Sequence, residues 1–181
     1  MDRQIVCFAI PSLEIALVRL GHPQLRTRPL AVATLGTPRA LIREISPEAE
    51  RDGLHIGMPL DRARRLCPSL QVRLPNPHQV ATATHSIFGV IQRYAPTWEP
   101  LLPGSLLMDL TGTTRLLGTA CDVATKIQTE VLTQFHLEGA AGVGSNKLLA
   151  QTAATLVAPS ELYDVRSGSE RLFMSPLSIR A

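Results

Sequence analysis

The segment GAAGVGSNK, residues 139–147, is where the chain comes nearest to phosphate chemistry. A strand of small residues ends there, a helix begins at Ser145, and Lys147 falls in its first turn. Free backbone N–H groups, the positive end of a helix dipole and an ammonium together suit a phosphate. The spacing departs from G-x-x-x-x-G-K-S/T, because Lys147 stands three residues past Gly144 rather than beside it. Ser145 as a plain helix cap, with Lys147 a surface charge, is the alternative reading. Other reactive patterns are absent. There is no HExxH and no GxSxG elbow, and His22, His55, His78, His85 and His136 do not cluster at ligand spacing. Cys7, Cys67 and Cys121 form no CxxC pair, so they read as free thiols in a reducing compartment.

The basic side chains are the second chemical feature. Sixteen of the eighteen are Arg, although the net charge is only +3. Many lie between Arg26 and Arg73, including Arg39 and the cluster Arg62, Arg64 and Arg65. Arginine pairs well with phosphates and planar groups, so these residues are candidate DNA contacts. An ordinary solvated helix face is the competing reading. The hydrophobic fraction of 45% against 18% charged residues fits a globular chain with an aliphatic core. No apolar run approaches the roughly 18–20 residues that span a bilayer. A cytoplasmic protein, not a membrane one, is expected.

Hydrophobic periodicity and turn signals supply the elements that must carry these residues. RQIVCFA reads as a first strand, and Pro11 with Ser12 suits the start of a helix over SLEIALVRL. PLAVAT and RALIREI read as short strands, followed by helices at PEAERDG and PLDRARRLC and a strand at QVRL. A long helix is expected from about His78 to Tyr94, then strands TWEPLL and SLLMDLT. A helix over about Thr119 to Phe135, a strand at EGAAGVG and a helix at SNKLLAQTAATLV complete the pattern. With residues 26–76 set aside, the order is β-α-β-β-α-β-α. That is an α+β, ferredoxin-like βαββαβ order with a small α/β insertion after the first strand.

Four segments then resemble the Y-family translesion DNA polymerases, of UmuC/DinB type. HPQLRTRPLAV is similar to the family's NP-x-LR-x-x-P stretch. RALIREISPEAERDGLHIGMPLDRARRLCPSLQV resembles its Y-E-A-R…G-M-P…L-C-P segment. YAPTWEPLLPGSLLMDLTGT resembles the E-P-x-S-L-D-E-A-Y-L-D-x-T-G stretch, and AAGVGSNKLLAQTAATLVAP the G-I-x-x-N-K-x-L-A-K segment. The resemblance implies a palm from residues 1–10 and 77–168 and fingers from 11–76. It implies the start of a thumb segment at 169–181, with the thumb and little finger absent.

What the resemblance implies for chemistry turns on departures from the pattern. Such polymerases hold two Mg²⁺ with three carboxylates during in-line displacement. Their positions are taken here by Ala9, Gly104 and Ser105. The Tyr and Arg that meet the incoming triphosphate fall at Pro47 and Glu50, and the sugar-gate aromatic falls at Glu14. Of the nucleotide-phosphate set, only Lys147 persists. The expectation is therefore a chain that is not an enzyme and holds no metal or cofactor. It resembles the ImuB-type accessory branch, whose AIPSLEIALVRL-like opening it shares. That resemblance implies a scaffold in translesion synthesis and SOS mutagenesis. Its implied partners are a RecA-like ImuA-type protein, a DnaE-type error-prone polymerase and the sliding clamp. The alternatives are a DNA-binding module gripping primer–template through the Arg-rich fingers, and an active nucleotidyltransferase with a non-standard metal site. Asp109 is expected to hydrogen-bond at the Thr111–Gly112 turn rather than to bind metal.

Overall fold

The computed structural model describes residues 3–34 and 40–177. Its chain divides into two compact units, one made of Met1–Pro11 with the segment from Ala83 onward, the other of Ser12–Thr82.

Unit 1 is built on a five-stranded sheet. Its strands are β1 (Ile5–Ala9), β5 (Thr97–Leu102), β6 (Ser105–Asp109), β7 (Ala140–Gly144) and β8 (Leu162–Asp164). They lie in the order β5-β6-β1-β7-β8. β1 is antiparallel to both β6 and β7, and β8 is parallel to β7. The first four strands follow the ferredoxin-like order expected from the sequence. β1 sits between neighbours on both sides and its residues Ile5, Val6, Cys7 and Phe8 are buried. A strand buried on both faces reads as a continuous apolar run, which IVCFA is.

Two helices cover the sheet. On one face α7 (Lys147–Leu156) sets Ala150 and Ala154 against Ile5, Cys7 and Leu107. α6 (Ala120–Phe135) packs on β1 and β7 with Val123, Ile127 and Val131 fully buried. α6 begins with a reciprocal cap: Thr119 Oγ1 accepts from Asp122 N at 3.1 Å and Asp122 accepts from Thr119 N at 2.9 Å. Unit 1 also contains α5 (Thr114–Leu117) and α8 (Glu170–Met174), two short helices that sequence periodicity does not reveal.

Unit 2 carries a three-stranded sheet in the order β3-β2-β4, from β2 (Leu30–Ala33), β3 (Ile42–Ile45) and β4 (Gln71–Arg73). Its helices are α1 (Leu13–Gly21), α2 (Pro47–Arg51) and α3 (Leu60–Leu66), with a 3₁₀ turn at Pro23–Leu25. Ser46 is fully buried and ties the unit together. Its hydroxyl accepts from Leu30 N at 3.1 Å and from Ala49 N at 3.4 Å, so one side chain joins β2 to the start of α2.

The units divide at Pro11/Ser12 and at Thr82/Ala83, the second division lying inside α4 (Pro77–Ile91). A continuous helix has no local signal at its middle, so a boundary there is invisible to turn residues.

Candidate functional site

The sheet of unit 1 brings the first candidates together. Ala9 pairs with Ser105 across the β1–β6 ladder, and Ile10 N donates to Gly104 O at 3.0 Å. Gly104 has φ +72°, a left-handed conformation suited to the tight β5–β6 turn. Its N–H donates to Thr84 Oγ1 at 3.1 Å, which fixes the turn against α4. Ser105 also neighbours the Cys7 thiol. Burial pushes that thiol up to about 11, with the Ser105 contact pulling weakly the other way.

The donor set at this end of the sheet is a methyl, a glycine hydrogen and one hydroxyl. A pair of Mg²⁺ ions asks for hard, anionic oxygens, and these three side chains do not fit that group. Among the described residues there is no cluster of three or more His, Cys, Asp or Glu able to hold a metal ion.

Lys147 lies elsewhere. β7 runs antiparallel to β1, so Ala140 pairs with Ala9 and Gly144 with Ile5. Lys147 follows Gly144 and so starts α7 at the far end of the strand, about 13 Å along at 3.3 Å per residue. The structure does not bring it to Ala9 and Ser105. Its ammonium meets both carboxylate oxygens of Glu99 at 2.7 Å. The pair borders a cavity of about 120 Å³ that also holds Arg3, Thr97, Trp98 and Asp109. Asp109 accepts from Thr111 N at 2.9 Å and lies 3.7 Å from Arg3. The Thr111 hydrogen bonds hold its carboxyl below the usual range. This is the turn role expected for Asp109. The helix cap also differs from expectation: Asn146, not Ser145, accepts from Leu149 N at 3.0 Å. Ser145 Oγ instead donates to Glu170, 25 residues on, at 3.1 Å.

In unit 2, Pro47 opens α2 and Glu50 stands exposed in its first turn. Glu14 is turned inward, 3.4 Å from Arg43. Arg62, Arg64 and Arg65 are all exposed on α3, whose other face buries Leu60 and Ala63. Arg39 lies outside the described residues. Sequence reasoning missed Glu44, Gln128 and the partner of Glu99, each of which acts on a group far off in the chain. Glu44 accepts from Ile15 N at 3.2 Å. Gln128, buried, donates to Gly139 O at 2.9 Å and Glu161 O at 2.7 Å. Nothing in their local patterns marks those partners.

The ferredoxin-like sheet with an inserted α/β unit has the fold of solved Y-family polymerases. Among solved structures, DinB from Sulfolobus solfataricus superimposes with a TM-score of 0.87 at 21% identity, over 94% of this chain and 50% of that one. An insertion ternary complex of Dbh DNA polymerase gives 0.88 at 21% identity, over 97% and 52%. At that identity the likeness establishes the fold.

Residues 11–155 match the model of the impB/mucB/samB family, and the chain belongs to that family, that of the Y-type DNA polymerases. A DNA polymerase IV of Akkermansia muciniphila is 30% identical over 185 residues, 99% of this chain and 50% of that protein. One from Streptomyces coelicolor is 31% identical over 162 residues, 88% of this chain and 34% of that protein. The chain spans half or less of the length of these relatives. They overturn the expectation that the chain is not an enzyme. Proteins matched over nearly its whole length carry a polymerase's name, so the comparisons point to an enzyme.

No helix among the described residues is long and apolar enough to cross a membrane.

Proposed function

We propose that this chain forms the palm and fingers of a Y-family protein that works on primer–template DNA in translesion synthesis. Unit 1 supplies the palm and unit 2 the fingers. The observation that carries the DNA reading is the exposed set Arg62, Arg64 and Arg65 on α3, held in place by an apolar face that buries Leu60 and Ala63. Guanidinium groups held on a helix suit a phosphate backbone. The family membership and the polymerase names of the relatives support the same reading.

The finer assignment is to the accessory, ImuB-type branch, acting beside other replication proteins. Ala9, Gly104 and Ser105 favour it, because they stand where the family's carboxylates are expected. A RecA-like ImuA-type protein, a DnaE-type polymerase and the sliding clamp are the partners this branch implies.

The test begins with the full-length protein and labelled primer–template DNA across a salt series. Binding that weakens steeply with salt is expected. The triple variant Arg62→Ala, Arg64→Ala, Arg65→Ala should flatten the slope of log K against log salt by roughly 2–3 if each guanidinium meets a phosphate. An unchanged slope would remove α3 from the interface. Lesion bypass by a DnaE-type polymerase, measured with and without the protein, tests the accessory role. Stimulation supports it and no effect opposes it. Primer extension by the protein alone, run alongside, reads the activity carried by its relatives' name.

A further inference from the structure

The three arginines of α3 are not presented alike. Leu60, Ala63 and Cys67, the last just past the helix, are buried and mark the stripe that faces the core of unit 2. At about 3.6 residues per turn, Arg62 and Arg65 fall on the side opposite that stripe. They are neighbours at i and i+3, which sets their Cβ atoms about 5–6 Å apart along one ridge. Arg64 stands one turn beyond Leu60 and next to Ala63, so it flanks the buried stripe although it is exposed. Asp61 is the one acidic residue of the helix and lies a turn before Arg65, which leaves the ridge net positive. Leu66, 51% exposed, borders the ridge with an aliphatic surface.

The aromatic side chains are distributed as unevenly. Every Phe, Tyr and Trp of the chain lies in unit 1, and the segment Ser12–Thr82 has none. Its histidines, His22, His55 and His78, all fall outside α3. A base is held by stacking on an aromatic ring or a guanidinium plane. The outer face of α3 therefore offers charge and N–H donors, with no ring beside them.

We infer that Arg62 and Arg65 grip neighbouring phosphates of one strand without engaging its bases, and that Arg64 takes no part. The ligand of this ridge is a sugar–phosphate backbone, whether or not it carries bases. Two cations this close suit successive charges of a single strand, which come about every 3.4 Å along the axis of a duplex. The inference rests on the DNA reading above and narrows it.

The experiment uses the same protein with two labelled single strands of equal length, one ordinary and one in which every nucleotide is abasic. Arg62→Ala and Arg65→Ala should each lower the slope of log K against log salt by about 0.7 on either strand. The factor by which each weakens binding should be the same on the two strands. Guanidinium groups stacked on bases would instead make that factor roughly 5- to 150-fold smaller on the abasic strand. That result overturns the inference and leaves the DNA reading standing. Arg64→Ala should leave both slopes unchanged, and a loss equal to that of its neighbours overturns the ridge. The double variant Arg62→Lys, Arg65→Lys should keep the parent slope on both strands, since an ammonium serves a phosphate but supplies no stacking plane. Slopes that no α3 variant alters would take the helix off the interface, and the DNA reading of α3 would fall with the inference.

Discussion

Lys147 keeps the letter of the family's motif and is ion-paired in this structure. Its charge faces Glu99 from the start of α7, with about half of each side chain in solvent (54% and 48%). Exposed pairs of this kind contribute under about 1 kcal/mol. Lys147→Ala is therefore expected to be nearly silent in urea unfolding and to leave deoxynucleoside triphosphate affinity unchanged by calorimetry. A tenfold loss of affinity would return Lys147 to a phosphate site. Gln128 is the opposite case. Its amide serves two backbone carbonyls, those of Gly139 and Glu161, in a buried setting. Gln128→Leu keeps the bulk and strands both acceptors, so a loss of about 1–3 kcal/mol is expected from denaturant midpoints. Positions 9, 104 and 105 were singled out by the resemblance of their motifs, and the β1–β6 ladder pairs Ala9 with Ser105. The partners of Glu44, Glu99 and Gln128 were not legible, because each bond joins residues at least 11 apart in the chain and leaves no periodic trace.

Among elements, the tightest contact is α7 on the sheet. A Cβ built on Gly142 would lie 2.2 Å from Ala150 O and 2.4 Å from Ala154 N, both backbone atoms of the helix. Neither can yield without moving the helix. Gly142→Ala should cost about 3 kcal/mol or more, or prevent folding. Gly21→Ala is the control, since a Cβ there meets nothing within 4 Å. That substitution should be neutral in the same thermal scan. The small-residue run AAGVG announced a strand, but not why its glycines are needed; only the facing helix explains them. Long periodic elements were legible: α6 was expected at about 119–135 and spans Ala120–Phe135. α5, β8 and α8 have between three and five residues and follow from packing rather than pattern.

At the scale of the whole molecule, the insertion was legible because setting residues 26–76 aside left a recognisable strand order. The segment that groups as a unit runs from Ser12 to Thr82. One boundary lies at Pro11, where proline punctuates; the other lies within α4 and leaves no mark. The Arg-rich character of that segment was visible in composition, whereas its presentation on the outer face of α3 needed coordinates. The place of β1 carries a further consequence. It precedes its hydrogen-bonded neighbours among the described residues, β6 and β7, which begin at Ser105 and Ala140. On a ribosome it must wait for roughly a hundred residues before either neighbour exists, while all three strands of the smaller sheet are already out. Closure of the central ladder is thus a late event, set by loop entropy across the inserted segment.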